Sequence, residues 1–408
     1  MIRILATADW HLGNCFYGYD RQEEHADYLD WLLKTATERQ ADVLLVCGDV
    51  FDNSNPSAAS QELFYSFLTR LSSALPDLQT FIIAGNHDSA MRLEAPKSLL
   101  IRHKVWVKGV VNKDDSGSVA YDQLLTTICS HDGEKATLLS IPYLRDGDFP
   151  RVKGCAEFLK EAVSAAEQIR GDGALIVMAH LYARGSEIAE DSSEKIVIGG
   201  SEMVNVSCLS DDVTLFLSGH IHRHQTIEGK DNWLYPGSAL PMSFAERDYK
   251  HGAVYSTIDS GKLDGKPMFI EYSLQHPLLS LPDKPAPLKE VKKSLEKLPK
   301  KQSGDNDATE PYLEVKVLLD SPAFPGLNKQ IEDMLEGKRV RFCKTAVSYL
   351  VKKVSDEIPQ VASMDDLLSI DPMKIIRTMY LKNHGFEMSE ELEKLASEAI
   401  EAAKTETE

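Results

Sequence analysis

Residues 43–52 read VLLVCGDVFD: the apolar run Val43–Cys47 ends in Gly48 and delivers Asp49 and Asp52. A carboxylate at the mouth of such a strand is costly to leave unpaired, and the preceding glycine permits close backbone approach. The pattern recurs along the chain. Ile2–Ala8 leads into Asp9–Trp10–His11, and Phe81–Ala84 into Gly85–Asn86–His87–Asp88. Leu175–Ala179 leads into His180, and Val213–Ser218 into Gly219–His220–Ile221–His222. Strand ends that repeatedly carry histidine, carboxylate or amide groups describe one site assembled from distant sequence.

Helical periodicity fills the gaps between these runs. Glu23–Arg39 carries an apolar stripe at Ala26, Leu29, Leu32, Leu33 and Ala36, and Ala58–Leu75 another at Leu63, Phe64, Phe67, Leu68 and Leu71. Glu157–Ile169 precedes the His180 strand. This β-α-β rhythm predicts a layered α/β core with its site at the carboxyl ends of the strands. After His222 the rhythm breaks into short strands at Gln225–Glu228, Asn232–Tyr235, His251–Ile258 and Met268–Ser273, expected to build a second sheet facing the first.

At 408 residues the chain is long for one core. A boundary is expected near Pro277–Pro287, and the lysine-rich 292–301 and polar 302–309 read as linker or solvated surface. Strand Tyr312–Leu318, helix Gly326–Leu335 and strand Arg339–Tyr349 predict a small α+β module. Helical segments follow at Met364–Leu368, Pro372–Asn383 and Ser389–Ala402, with Ile375, Ile376, Met379, Tyr380 and Leu381 apolar; a partner subunit is their expected cover. The expected units are therefore 1–280, 285–355 and 360–408.

The net charge of −18 argues against non-specific nucleic-acid binding over the whole surface, while leaving room for a local basic track. Six scattered cysteines show no metal-knuckle spacing, and Cys47 reads as a buried thiol. No stretch is long and apolar enough to span a membrane, no secretory signal is evident, and the cytoplasm is the expected location.

As ligands, Asp9 and His11 lie two apart and would share a face if the strand continued. Asp49 has two oxygens with which to bridge two cations. Asn86 offers a neutral oxygen, and His87, pointing away from it, suits proton donation or phosphate contact. Asp88 reads as orienting His87 or capping the next segment, and Asp52 as an outer partner of the site or a cap for the turn that follows. His180 stands alone, His220 and His222 face one cavity, and His224 lies beyond it. Asp9, His11, Asp49, Asn86, His180, His220 and His222 would hold two divalent cations about 3.5–4 Å apart, the arrangement used for phosphoester hydrolysis. Mixed oxygen and nitrogen donors suit manganese, iron or zinc better than magnesium or calcium. Arg21, Arg145, Arg184 and Arg223 stand near this text and read as ordinary surface charges.

With ATADWHLG (6–13), VCGDVFD (46–52), IAGNHDS (83–89), MAHL (178–181), LSGHIHR (217–223) and YPGSALPMSFAE (235–246), the chain resembles the calcineurin-like metallophosphoesterases, and among them the nuclease subunits of SbcCD-type complexes. The resemblance implies a four-layer α/β fold of two facing mixed sheets flanked by helices, followed by a small α+β capping domain and C-terminal helices. It implies one metal held by Asp9, His11, Asp49 and His222, and a second by Asp49, Asn86, His180 and His220. Catalytic His87 would contact phosphate or donate a proton. Manganese is the implied cofactor, with iron, zinc or magnesium as alternatives. Also implied are a homodimer joined near the early helices, a capping domain that helps seat DNA, and terminal helices bound to the coiled coil of an SbcC-like ATPase in a heterotetramer. DNA ends, hairpins and single strands would be the substrates, through 3′–5′ double-strand exonuclease and single-strand or hairpin endonuclease activity. No Gly-rich Lys-Ser/Thr phosphate loop occurs, so the partner would spend the ATP. A stand-alone phosphatase or cyclic-nucleotide phosphodiesterase would use the same ligands without needing residues 311–355 or the terminal helices. A non-catalytic scaffold would leave the ligand series unexplained.

Overall fold

The computed structural model describes residues 1–145, 147–148, 154–183, 185–187, 204–206, 209, 211–227, 229–302, 309–350, 371–384 and 387–405. They fall into two compact units, Met1–Gln275 and His276–Glu408.

The first unit holds two mixed sheets. One runs in the order Lys262–Leu263, Gly252–Asp259, Ile2–Thr7, Val43–Cys47, Gln79–Ile83, Val105–Lys108, with Met268–Glu271 also paired to Gly252–Asp259. From Ile2–Thr7 to Val105–Lys108 the strands are parallel, and Gly252–Asp259 adds antiparallel. The other runs Gln225–Ile227, Lys230–Tyr235, Leu215–Gly219, Ala174–His180, Lys135–Ile141, Leu125–Cys129, parallel in its interior and antiparallel at both edges.

Alternation along each strand explains the layering. Ile4, Val43, Leu45, Cys47, Ile176, Met178, Leu215 and Leu217 form one buried cluster between the sheets. The intervening Leu5, Leu44 and Val46 pack instead with Leu29, Leu32, Phe64 and Phe67 of helices Gln22–Glu38 and Ala58–Ala74. Leu175, Val177 and Phe216 pack with Phe158, Leu159 and Ala162 of helix Gly154–Arg170. The result is helix, sheet, sheet, helix. Strands covered on both faces read as unbroken apolar runs, and each fully buried aliphatic or aromatic side chain contributes about 1.5–3 kcal/mol.

The short strands after His222 do not make the second sheet by themselves. Gln225–Ile227 and Lys230–Tyr235 extend it at one edge, whereas Gly252–Asp259 and Met268–Glu271 return to the first sheet. Most of the second sheet comes from strands between residues 125 and 219. No helix among the described residues is long and apolar enough to cross a membrane.

The second unit contains a parallel sheet of Leu278–Ala286, Tyr312–Leu319 and Arg341–Tyr349, joined through helices Leu288–Glu296 and Leu327–Leu335. Its core includes Val291, Leu295, Leu313, Val315, Ile331 and Leu335. The division after Gln275 falls beside the expected boundary, but the stretches on both sides of residue 290 carry regular structure. The proline-rich stretch is an edge strand whose register shifts between Leu281 and Ala286, the part that contains Pro282 and Pro285, and sheet edges and bulges are where proline is tolerated. The lysine-rich stretch begins as a helix whose Val291 and Leu295 face the core. Helices Pro372–His384 and Glu390–Thr405 are tied by Arg377 to Glu393 at 2.7 Å, with Met379, Leu392 and Leu395 exposed. The helix expected at Met364–Leu368 lies outside the described residues, as does Arg184.

Candidate metal centre

The first strand stops at Thr7, and the backbone turns left-handed at Asp9 (φ 50°) and His11 (φ 48°). Trp10 anchors the turn. Its ring is buried, Nε1 donates to Thr7 Oγ1 at 2.9 Å, and its face meets the edges of Phe64 and Phe67. The Asp9 and His11 amides donate to Gly48 O and Asp49 O, both at 3.0 Å, so the two loops stay paired beyond their strands. Asp49 (φ 48°) and His220 (φ 90°) are left-handed too. The strand does not continue through Asp9–His11, and each of these left-handed residues costs about 1–3 kcal/mol. Glycine is required beside them: a side chain on Gly48 (φ 91°) would strike the His180 ring, and one on Gly85 the Asp49 carboxylate.

These turns gather all of the expected ligands. Asp49 Oδ2 lies 3.3 Å from His180 Nε2 and 3.8 Å from His11 Nε2, while Oδ1 accepts the His87 amide at 2.8 Å. One oxygen, rather than two, therefore faces both histidines. Asn86 Oδ1 is 3.0 Å from His180 Nε2 and 2.9 Å from His220 Nδ1. Asp9 accepts the His220 amide at 2.9 Å. Ligand atoms of Asp9, His11 and His222 lie within 4.8 Å of one another, as do those of Asp9, Asp49 and His180.

The donor set fits cations. Both ring nitrogens of buried His11 lack a hydrogen-bond partner, and the carboxylates nearest them stand at 3.6 and 3.8 Å. Buried imidazole nitrogens are ordinarily satisfied. His180 donates Nδ1–H to Cys47 O at 2.9 Å, which turns the Nε2 lone pair toward the oxygens of Asn86 and Asp49. Burial works to lower His180, but the adjacent Asp49 carries it up to about 9. Burial works to raise Asp49, and His180 holds it below the usual carboxylate range. Burial pushes Asp9 up despite His180 and His222, and burial with His180 alongside lowers His220 to about 3. A divalent cation replaces the shared proton in such a cluster and satisfies the facing lone pairs.

Around this set, several expectations change. Asp88 neither orients His87 nor caps the next helix: it accepts from Gly85 N at 2.9 Å, Phe51 N at 2.9 Å and Val50 N at 3.1 Å, pinning two site loops together. Burial raises it to about 6. His87 is oriented by donating Nδ1–H to Asp52 O at 2.8 Å. The Asp52 carboxylate faces His11 Nδ1 and accepts from Asn14 Nδ2 at 2.9 Å, while Ser57 caps helix Ala58–Ala74 by accepting from Ser60 N. His224 turns away, onto Tyr235 O and the Phe269 ring.

Two residues near the centre had escaped assignment. Buried Glu246 sets Oε1 3.2 Å from His222 Nδ1 and accepts the Met242 amide at 2.8 Å with Oε2. A carboxylate behind a ligating imidazole fixes its tautomer and raises its basicity. Arg145, which had read as a surface charge, donates Nη2 to Gly85 O at 3.0 Å and Asp88 O at 2.9 Å. Neither contact has a local sequence signal, since each spans more than twenty residues.

Residues 2–224 match the family model for calcineurin-like phosphoesterases, and residues 275–384 match that of the type 5 capsule protein repressor C-terminal domain. The D subunit of nuclease SbcCD from Rhodobacter capsulatus is 35% identical over 312 residues, covering 73% of this chain and 76% of that protein. Its Escherichia coli K12 counterpart is 30% identical over 282 residues, covering 64% and 66%. The Bacillus subtilis protein of the same name is 31% identical over 264 residues, covering 61% and 64%.

Proposed function

Because the chain belongs to the calcineurin-like phosphoesterases and is related to the D subunit of nuclease SbcCD, we propose that it is a dinuclear metal-dependent DNA nuclease subunit. The observation that carries the chemistry is Asp49 Oδ2, set between His11 and His180. In this reading Asp9, His11, Asp49 and His222 hold one divalent cation, and Asp49, Asn86, His180 and His220 the other, with manganese the preferred ion. Bound there, the cations would neutralise charge at the phosphate and lower the pKa of a water enough to make hydroxide available as the nucleophile near neutral pH. The chain's own groups do the rest. Asp49 ties the two halves of the centre, Asn86 limits ligand charge, and His87 delivers a proton to the departing oxygen or holds the phosphate.

Similarity to D subunits of nuclease SbcCD supports a nuclease complex over a stand-alone phosphatase. Residues 1–280 would form the nuclease domain, 285–355 a DNA-capping domain, and 360–408 the attachment to an SbcC-like coiled-coil ATPase. The working assembly would be a homodimer of this chain within a heterotetramer, in the cytoplasm and on the nucleoid when bound to DNA. Its activities would be ATP-dependent 3′–5′ exonuclease action on duplex ends and endonuclease action on single strands and hairpins.

The test combines this chain, the ATPase, ATP and manganese with end-labelled linear and hairpin DNA. Cleavage lowered roughly 10²–10³-fold by Asp49→Asn is the expected result. Hydrolysis of small phosphoesters without DNA cleavage would transfer the assignment to the phosphatase or cyclic-nucleotide phosphodiesterase class.

A further inference from the structure

We propose that Arg145 is a positioning residue that sets Asn86 and His87 against the rest of the metal centre; this rests on the metal-dependent reading above. The tetrapeptide Gly85–Asp88 leaves the first sheet as a loop, yet both side chains it contributes to the centre must hold their place to a few tenths of an ångström. The loops of the first sheet hold it through the Asp88 carboxylate, bound to Gly85 N, Val50 N and Phe51 N, and through His87, whose amide reaches Asp49 Oδ1 and whose Nδ1 reaches Asp52 O; none of these bonds engages the carbonyls of Gly85 and Asp88.

The opposite side is fixed from the second sheet. After strand Lys135–Ile141, the Tyr143 amide donates to Ala84 O at 2.8 Å, immediately before the tetrapeptide. Two residues later, one nitrogen of the Arg145 guanidinium bridges the carbonyls of Gly85 and Asp88, the first and last residues of the loop. The guanidinium also stacks over the Tyr143 ring at 5.3 Å, and that ring lies 6.1 Å from the His180 ring and 6.4 Å from the His220 ring. Arg145 is itself held, its amide donating to Asp148 Oδ2 at 2.6 Å. A half-buried arginine thus closes the loop between the two carbonyls that bracket Asn86 and His87. Arginine suits this place because, while Nη2 bridges the two carbonyls, Nη1 reaches Tyr143 O at 3.5 Å and the guanidinium lies over the Tyr143 ring; a lysine ammonium is a point charge on a flexible stem.

Removing the guanidinium frees both carbonyls and leaves every ligand in the chain. Loss of such an outer partner typically weakens metal binding by about 10–100-fold. The experiment is manganese titration of the full chain by calorimetry, with electron paramagnetic resonance of the bound ions, for wild type, Arg145→Ala and Arg145→Lys. Expected is a drop of about 10–100-fold in affinity for the weaker-bound ion in Arg145→Ala, a smaller drop in Arg145→Lys, and weakening of the spin-coupled signal of an ion pair. Asp42→Asn is the control. Asp42 precedes Val43–Cys47, at the end of that strand away from Asp49, so its loss is expected to lower stability without moving manganese affinity. Wild-type manganese binding in whichever Arg145 variant folds overturns the proposal. A wild-type chain that binds two ions yet fails to cut DNA overturns the nuclease reading and leaves this one standing.

Discussion

The His87 amide donates to Asp49 Oδ1 at 2.8 Å, so the backbone of the proposed proton donor is fastened to the carboxylate proposed to join the two cations. An asparagine at position 49 keeps an oxygen to accept that bond and removes the charge. Asp49→Asn is expected to lower manganese stoichiometry below two per chain and to reduce phosphodiester hydrolysis by roughly 10²–10³-fold, as loss of several kcal/mol of charge stabilisation requires. Calorimetry and a chromogenic diester assay check both numbers, and full stoichiometry in the variant contradicts the shared-ligand role.

His87→Gln separates proton donation from metal holding. Its Nδ1 is engaged with Asp52 O, and a His87 ring nitrogen lies within 4.8 Å of ligand atoms of His11 and Asp52, so the assay of metal content decides between the two roles. Turnover is expected to fall by about 10²–10⁴-fold, the usual contribution of a general acid, with manganese content unchanged by elemental analysis. A parallel loss of metal would place His87 among the ligands instead.

Glu246→Gln keeps the size of the side chain behind His222 and removes its charge. Manganese affinity is expected to fall by about 10–100-fold. Thermal unfolding of the metal-free chain provides the comparison. An affinity equal to wild type would reduce Glu246 to a packing role.

Asp42 offers a pH test away from the metal centre. It accepts from Arg3 N at 2.8 Å, Arg3 Nε at 2.9 Å, Arg3 Nη2 at 3.1 Å and His131 N at 3.2 Å. Burial works to raise it, yet these donors hold it below its ordinary value of 3.8. A depressed folded-state pKa contributes stability that is present above the unfolded value and lost as pH falls through the folded one. Asp42→Asn is expected to destabilise by about 1–3 kcal/mol at neutral pH, with the gap from wild type closing below about pH 4. Urea unfolding across that range measures it, and a gap independent of pH contradicts the linkage.

The second unit carries exposed Lys289, Lys292 and Lys293 on a helix whose Val291 and Leu295 are buried. If residues 285–355 seat DNA, converting these lysines to glutamate weakens binding and flattens its salt dependence by about 0.9 in log–log slope for each phosphate no longer neutralised. Fluorescence anisotropy at several salt concentrations reads the slope, and an unchanged value takes this face out of the DNA path.

The two-sheet core was legible because strands covered on both faces leave unbroken apolar runs, and Val43–Cys47 is an observed strand with the bounds its sequence suggests. The destination of later strands was not legible, since alternation in His251–Ile258 says which face is buried and not which neighbour pairs. Pro282 and Pro285 read as a break, although an edge strand with shifted register admits them. The ligand residues stood out by following apolar runs. The left-handed turns at Asp9, His11, Asp49 and His220 did not, because aspartate and histidine enter that conformation more often than most residues yet still in only a small minority of cases. Glu246 and Arg145 were invisible for another reason: their meaning lies in partners more than twenty residues away.

Those four left-handed residues have a bearing on how this chain would drift if its activity were no longer selected. Glycine adopts the same backbone shape without steric strain, so each such replacement relieves about 1–3 kcal/mol of tension while erasing a proposed ligand and, at Asp9 and Asp49, the bond accepted from the His220 or His87 amide. Each lost hydrogen bond is worth about 0.5–1.5 kcal/mol, of the same order as the strain relieved, so an inert descendant would keep this fold after its donor set had gone.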